Sequence, residues 1–334
     1  MITRRRVLKL AASVTMGAAG SMAAADSSRT QHAHPKVGDN PVNCLRFVAP
    51  DGTGSGKTID DPGAVSDVSG WIAECNTLTI EFLPGTYSDF LHISDVPSTK
   101  RVMLHGDSSG QTVFMSKDSS LNGSITLSNC HNVSIHHMHF RQTGRDLKSF
   151  LNVEGCQDCL IHQCSWRGLS CRFGAATIHN ESQRITISDC CFEDTGNRES
   201  SGSGSHQLYI SGGGDAAADG HVRDIHVIRC TFADHFGGQH LKFKNGARDC
   251  FVNQCTFLRT DKKTFARYLN IRNVGNPGDA YPRVTNIFVF RCLFKDVTGD
   301  PSTVVNPAPT GRPKQYVFAL NEIEGSVSGL PSSV

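Results

Sequence analysis

Between Val133 and Phe294 the apolar and polar positions fall into one eight-residue pattern, repeated six times. The pattern reads apolar, any, apolar, two of any, Cys or Met, any, aromatic. Its copies are Val133-Ile135-Met138-Phe140, Cys159-Ile161-Cys164-Trp166, Ile185-Ile187-Cys190-Phe192, Ile225-Val227-Cys230-Phe232, Cys250-Val252-Cys255-Phe257 and Ile287-Val289-Cys292-Phe294. Each copy is two period-2 runs joined by a one-residue slip, which predicts two short strands meeting at a bend. The central Cys or Met positions advance by 26, 26, 40, 25 and 37 residues. A module recurring every 25 or so residues predicts a solenoid, each coil burying its apolar face on its neighbours. Such a coil is too short for a helix plus strands and carries three period-2 runs. The expected fold is therefore all-β, a three-stranded parallel β-helix, with the apolar-spaced segment 65–75 capping its N-terminal edge.

A third strand precedes each module. Twelve residues before the module Cys lie Ile178 and Phe243, read as inward, with Val153 eleven back. The long coils carry Leu208-Tyr209-Ile210 and Leu269-Asn270-Ile271 with the same alternation. Aligning Ile210, Phe243 and Ile271 stacks Tyr209, Lys242 and Asn270 outward on three neighbouring rungs. Gln207, His240 and Tyr268 are expected on one flank of this row. Ser211, Lys244 and Arg272 are expected on the other, with Thr177 and His179 one rung earlier. The extra residues of the long coils, 212–224 and 273–285, leave the same corner on either side of Lys242. Two loops flanking one cationic rung on a rigid scaffold predict a cleft.

The chain begins with Thr3-Arg4-Arg5-Arg6-Val7-Leu8-Lys9, a modest apolar run and Ala23-Ala24-Ala25. We read 1–25 as a signal peptide of the twin-arginine type, 26–42 as a polar linker and 43–334 as the β-helix domain, in a periplasmic or secreted protein with no membrane anchor. Losing 1–25 removes Arg4, Arg5, Arg6 and Lys9 from 33 basic residues and none of the 31 acidic ones, leaving a formal charge of −2. That is no footprint for nucleic acid. A solenoid of this length has core enough to be expected as a monomer.

Thirteen cysteines in an exported chain suggest disulfides, but Cys164, Cys190, Cys230, Cys255 and Cys292 share one inward position on successive coils. Coils about 4.8 Å apart hold parallel side chains too far apart to bond without distortion. Buried thiols are therefore expected, which suits export of a protein already folded in a reducing cytoplasm. Cys156-Gln157-Asp158-Cys159 has zinc-like spacing, but Cys159 is a module position and we read no metal there. Gly52-Thr53-Gly54-Ser55-Gly56-Lys57-Thr58 resembles a phosphate loop, yet Asp51 stands where its first glycine would be, and a surface loop is the better reading. His137 and His139 flank the inward Met138 and are read, with His131 and His136, as solvated strand surface.

The strip around Lys242 concentrates cations on a slightly acidic protein, with Lys244 and Arg272 beside Lys242 and His240 and His179 near. A groove along a β-helix suits an extended polymer, and cations suit an anionic polysaccharide such as a polyuronate. Cleaving it by β-elimination needs a group that neutralises the carboxylate, a base for the C5 proton and an acid for the departing O4 oxygen. Lys242 is a candidate base if crowding by Lys244 and Arg272 lowers its pKa from about 10.4. Tyr209 is a candidate acid, although the sequence leaves open which of the two is the base. His240, Asn270 and Arg272 are candidates to hold the carboxylate, with Lys244, His179, Gln207 and Tyr268 as further substrate-binding residues.

From about residue 43 to 325 the stack resembles the pectate-lyase-like right-handed β-helix superfamily. Phe47-Val48-Ala49-Pro50-Asp51-Gly52 and Phe82-Leu83-Pro84-Gly85-Thr86-Tyr87 are similar to its opening coils. His206-Gln207-Leu208-Tyr209 and Gly238-Gln239-His240-Leu241-Lys242 resemble the H-x-x-Y and G-H-x-x-K segments of β-helical alginate lyases of polysaccharide lyase family 31. The resemblance implies a right-handed β-helix with Tyr209 and Lys242 as catalytic pair and alginate as first-choice substrate. Gln239 departs from the pattern by separating Gly238 from His240. No cofactor is implied. Calcium is a lesser reading, because Asp215, Asp219 and Asp224 share one insertion without the spacing of a calcium loop. A glycoside hydrolase would need paired carboxylates, which the strip lacks. A uronan C5-epimerase and a non-catalytic glycan-binding envelope protein stay open.

Overall fold

The one-residue slip in each module is a backbone feature. Immediately before the module Cys or Met stand His137, Gln163, Asp189, Arg229, Gln254 and Arg291, all left-handed at φ between 50 and 56°. A left-handed residue reverses the strand's facing within one position and turns the chain from one sheet to the next. Outside glycine it costs roughly 1–2 kcal/mol per residue. The packing inside each coil offsets that cost. The module aromatics Phe140, Trp166, Phe192, Phe232, Phe257 and Phe294 form a continuous stack with centroid spacings of 4.4–5.0 Å and rings within 7° of parallel.

The computed structural model describes residues 43–116, 123–142, 147–196, 205–212, 221–264, 267–272, 284–307 and 314–328. All belong to the compact unit Pro41–Val334. The segments read as signal and linker lie outside the described residues, as do 213–220 and 273–283 of the two insertions. The described strands form three parallel sheets of ten, nine and nine strands, one from each coil in each sheet, in a right-handed parallel β-helix. In the ten-stranded sheet Ile161, Ile187, Val227, Val252 and Val289 pair in one unbroken row. All are buried, and parallel sheets need this continuous apolar face.

The module thiols fill the row beside the aromatics. Cys164, Cys190, Cys230, Cys255 and Cys292 are buried, each directing Sγ at a carbonyl, as Cys190 does at Ser188 O, 3.3 Å away. One bridge was not anticipated, Cys44–Cys75. Neither residue is a module position. Cys44 lies on the first strand, Asn43–Val48, and Cys75 ends the short helix Val68–Glu74, so two different elements meet there rather than two aligned rungs. That helix follows a 3-10 turn, Val65–Asp67, and buries Val68, Trp71 and Ile72. Lys100 Nζ donates to the Ile72 and Ala73 carbonyls at 2.6 and 2.8 Å, closing its last turn. Among the described residues no helix is long and apolar enough to cross a membrane.

Candidate active site

The candidate site lies on the nine-stranded sheet that holds Leu147–Glu154, Cys171–His179, Ser205–Ser211, Gly238–Lys244 and Arg267–Arg272 as neighbours. The register aligns Thr177, Tyr209, Lys242 and Asn270 in one row, and His179, Ser211, Lys244 and Arg272 in another. These strands also slip phase. Phe150 and Leu151, Ala175 and Ala176, Gln207 and Leu208, His240 and Leu241, and Tyr268 and Leu269 are adjacent residues that are all buried. Four of the five residues before these doublets, Ser149, Gly174, His206 and Gln239, are buried as well, yet the His206 ring meets Lys242 and the Gln239 amide meets Asn270.

The slip corrects three expectations. Gln207, His240 and Tyr268 do not flank an outward row; each is 0 % exposed, inside the coil. Gln207 Nε2 donates to the Phe192 and Ala233 carbonyls at 3.2 and 2.7 Å. His240 Nδ1–H donates to Gln207 Oε1 at 2.6 Å. The His240 ring stacks on Tyr268 at 5.4 Å, whose hydroxyl donates to the Lys295 carbonyl. Burial holds the His240 imidazole well below its ordinary pKa, with His235 adding to the effect. These residues are a polar seam of the core and have no surface to offer a polymer. The bend puts two consecutive residues inward, so strict alternation fails on that side of Leu208, Leu241 and Leu269. The apolar doublets Phe150-Leu151 and Ala175-Ala176 were the available sequence signal.

Lys242 leans back across one rung. Its Nζ is 3.0 Å from His206 Nε2 and 5.5 Å from the centroid of the Tyr209 ring. The His206 and Tyr209 rings stack at 5.5 Å and 17°. His206 is 1 % exposed, its Nδ1 accepting the backbone N–H of Gln239 at 3.3 Å. Burial first, then the neighbouring Lys242, His235 and Lys244, push its pKa well below 6.5. Asn270 is 5 % exposed. Its Nδ2 donates to Gln239 Oε1 at 3.1 Å, and its Oδ1 has no hydrogen-bond partner among the described residues. The Arg272 backbone pairs with Lys244 as expected, while its side chain lies outside the described residues.

Next to this group opens a cleft of about 410 Å³, lined by Tyr209, Ser211 and Lys244 and reaching N-terminally over Thr177 and His179 to Asn152 and Glu154. Lys148 and Phe173 stand at its edge, Phe173 with 52 % of its surface exposed. Sequence reasoning placed His179 and Lys244 here but missed Asn152, Glu154 and Phe173. Asn152 Oδ1 accepts from both Thr177 Oγ1 and His179 Nε2 at 2.7 Å, which fixes the cleft floor. Glu154 puts an acid, held by Asn180 Nδ2, at the end away from Lys242. The cleft thus has Lys244 at one end and both Lys148 and Glu154 on the strand at the other. Among the described residues no group of three His, Cys, Asp or Glu side chains is arranged to hold a metal ion; of the calcium candidates, Asp215 and Asp219 lie outside the described residues and Asp224 pairs with His226.

No protein-family model matches the chain, and no curated protein matches it in sequence. Solved structures do match in shape. An alginate lyase from Paenibacillus sp. str. FPU-7 superposes with a TM-score of 0.56 at 11 % identity, over 85 % of this chain and 98 % of that one. Pectate lyase Pel9A gives 0.55 at 10 % identity, over 86 % and 77 %. A rhamnogalacturonan lyase gives 0.54 at 11 % identity, over 83 % and 73 %. The chain shares the parallel β-helix fold of these three proteins. At these identities the likeness is one of fold, and the chemistry has to come from the residues on the outward face. What this β-helix presents there is an amine, a phenol and a buried imidazole in mutual contact, beside an open cleft with a second lysine.

Proposed function

We propose that the protein is a polysaccharide lyase that cleaves a uronate-containing polymer by β-elimination, with alginate the first substrate to try. The observation that carries this is the approach of Lys242 Nζ to the Tyr209 ring on adjacent rungs, next to a cleft that holds Lys244. A uronate lying along the sheet would present its carboxylate to Lys244 and Arg272, whose charges favour loss of the C5 proton. The Lys242 amine takes that proton. The C5 electron pair becomes the C4=C5 bond, the C4–O4 bond breaks, and the Tyr209 hydroxyl protonates O4. Lys242 then returns its proton to Tyr209, restoring the pair. The neighbouring sugar would lie over Asn152, Thr177 and His179, with Phe173 against its apolar face. In this reading 1–25 directs export, and the protein meets its polymer as a monomer in the periplasm or outside the cell.

The test is near-UV absorbance of the protein with alginate, polygalacturonate, hyaluronan and chondroitin, with and without chelator, because the conjugated C4=C5 bond absorbs where the substrate does not. Absorbance should rise with one polymer and fall by about 10²–10⁴-fold in Lys242→Ala and Tyr209→Phe. A rise that survives both substitutions would remove these residues from the mechanism. If no polymer gives a rise, exchange of the C5 proton with solvent would mark an epimerase, and binding without exchange a glycan-binding protein.

A further inference from the structure

We infer that His206 is a positioning residue that holds Lys242 as a neutral amine, which makes Lys242 the base of the pair. The inference rests on the β-elimination reading and adds to it the state in which the base waits.

Donors and acceptors around the His206 ring fix where its proton sits. The Gln239 N–H donates to His206 Nδ1, so Nδ1 carries no proton, and the proton of the neutral ring sits on Nε2. That Nε2–H faces Lys242 Nζ at 3.0 Å. An ammonium has three donors and no acceptor, so it cannot receive this N–H, whereas an amine offers a lone pair. An imidazolium would carry a second N–H on Nδ1, aimed at the N–H of Gln239. Other contacts hold the ring in this orientation: Tyr209 stacks on one face, and Gly238 passes so close that a Cβ there would lie 3.1 Å from Nδ1. The charged and titratable groups that the described strands place around the pair act in the same direction. Tyr209 is on the same strand, His235 lies 6.5 Å away between ring centroids, Lys244 follows Lys242, His179 is on the preceding strand, and Arg272 is on the next. All except Tyr209 are cations or potential cations, and each disfavours a further positive charge on Lys242.

Competitive labelling with acetic anhydride across pH, read by peptide mass spectrometry, tests this without turnover, because only the neutral amine reacts. Exposed Lys57 serves as the internal standard. Lys242 should become half-reactive at least two pH units below the usual lysine value of about 10.4, a 100-fold larger neutral fraction. In His206→Leu it should move back to within one unit of Lys57. His206→Gln, whose amide can donate to the same nitrogen, should keep most of the difference. The acid limb of kcat/KM should follow the labelling in all three proteins. Lys242 titrating with Lys57 in the unsubstituted protein would overturn the inference, as would an unchanged Lys242 in a folded His206→Leu protein. A neutral Lys242 in a protein that cleaves no polymer would instead overturn the lyase reading and leave the His206–Lys242 pairing in place.

Discussion

Replacing His235 with glutamine should flatten the acid side of the stability profile. His235 is 0 % exposed; its Nε2–H donates to the Ser205 carbonyl at 2.8 Å. Burial pushes its pKa from the ordinary 6.5 down to about 4. Between these values the unfolded chain binds a proton that the folded protein refuses. Its stability contribution is therefore complete above about pH 6.5 and is lost as pH falls toward 4. The gap from 6.5 to about 4, at about 1.36 kcal/mol per pH unit, comes to roughly 3 kcal/mol when fully expressed. About 2 kcal/mol of it should already be lost at about pH 5. Glutamine keeps an N–H for the Ser205 carbonyl and has no proton to gain. Urea unfolding of both proteins at about pH 7.5 and 5, followed by tryptophan fluorescence, measures the difference directly. The variant should lose about 2 kcal/mol less than the unsubstituted protein over that interval. Equal losses would show that His235 is not held neutral by burial. His206 and His240 are depressed by the same cause and will keep the variant itself acid-sensitive.

Three further outcomes follow from the packing. Phe192, stacked 4.4 Å from Trp166 and 4.9 Å from Phe232, should cost about 3–5 kcal/mol as Phe192→Ala, read as a fall in the urea midpoint, since a cavity opens in the centre of the stack. Phe173→Ala should leave stability unchanged and raise KM near fivefold, about 1 kcal/mol of apolar contact, with kcat little altered; an unchanged KM would take the sugar off this ring. A thiol reagent should find one accessible cysteine in the native protein, Cys191, reacting slowly because partial burial raises its thiol pKa, while the other ten outside the disulfide are buried. Denaturation should raise the count to eleven, and reduction of Cys44–Cys75 to thirteen.

The repeat was legible because a solenoid writes its fold into a local period. An inward Cys and an inward aromatic on every coil, separated from the preceding run by one left-handed residue, leave the same trace wherever they occur. Counting from that trace was enough to align Tyr209 with Lys242 and Asn270, and Ser211 with Lys244 and Arg272. The disulfide was not legible, because Cys44 and Cys75 belong to no repeat and only the docking of the first helix brings them together.

Sequence alone thus determined the coil, its register and the row on which Tyr209 and Lys242 stand, since parallel pairing at a fixed period leaves those no freedom. The tertiary structure decided which neighbours of that row face the cleft. A second phase slip, marked in the sequence only by the doublets Phe150-Leu151 and Ala175-Ala176, turns Gln207, His240 and Tyr268 into the core and brings the buried His206 ring against Lys242. It also set Phe173, Asn152 and Glu154 around one opening. Where a strand bends, the facing of a side chain depends on the backbone angle at one residue, and composition carries no record of that angle.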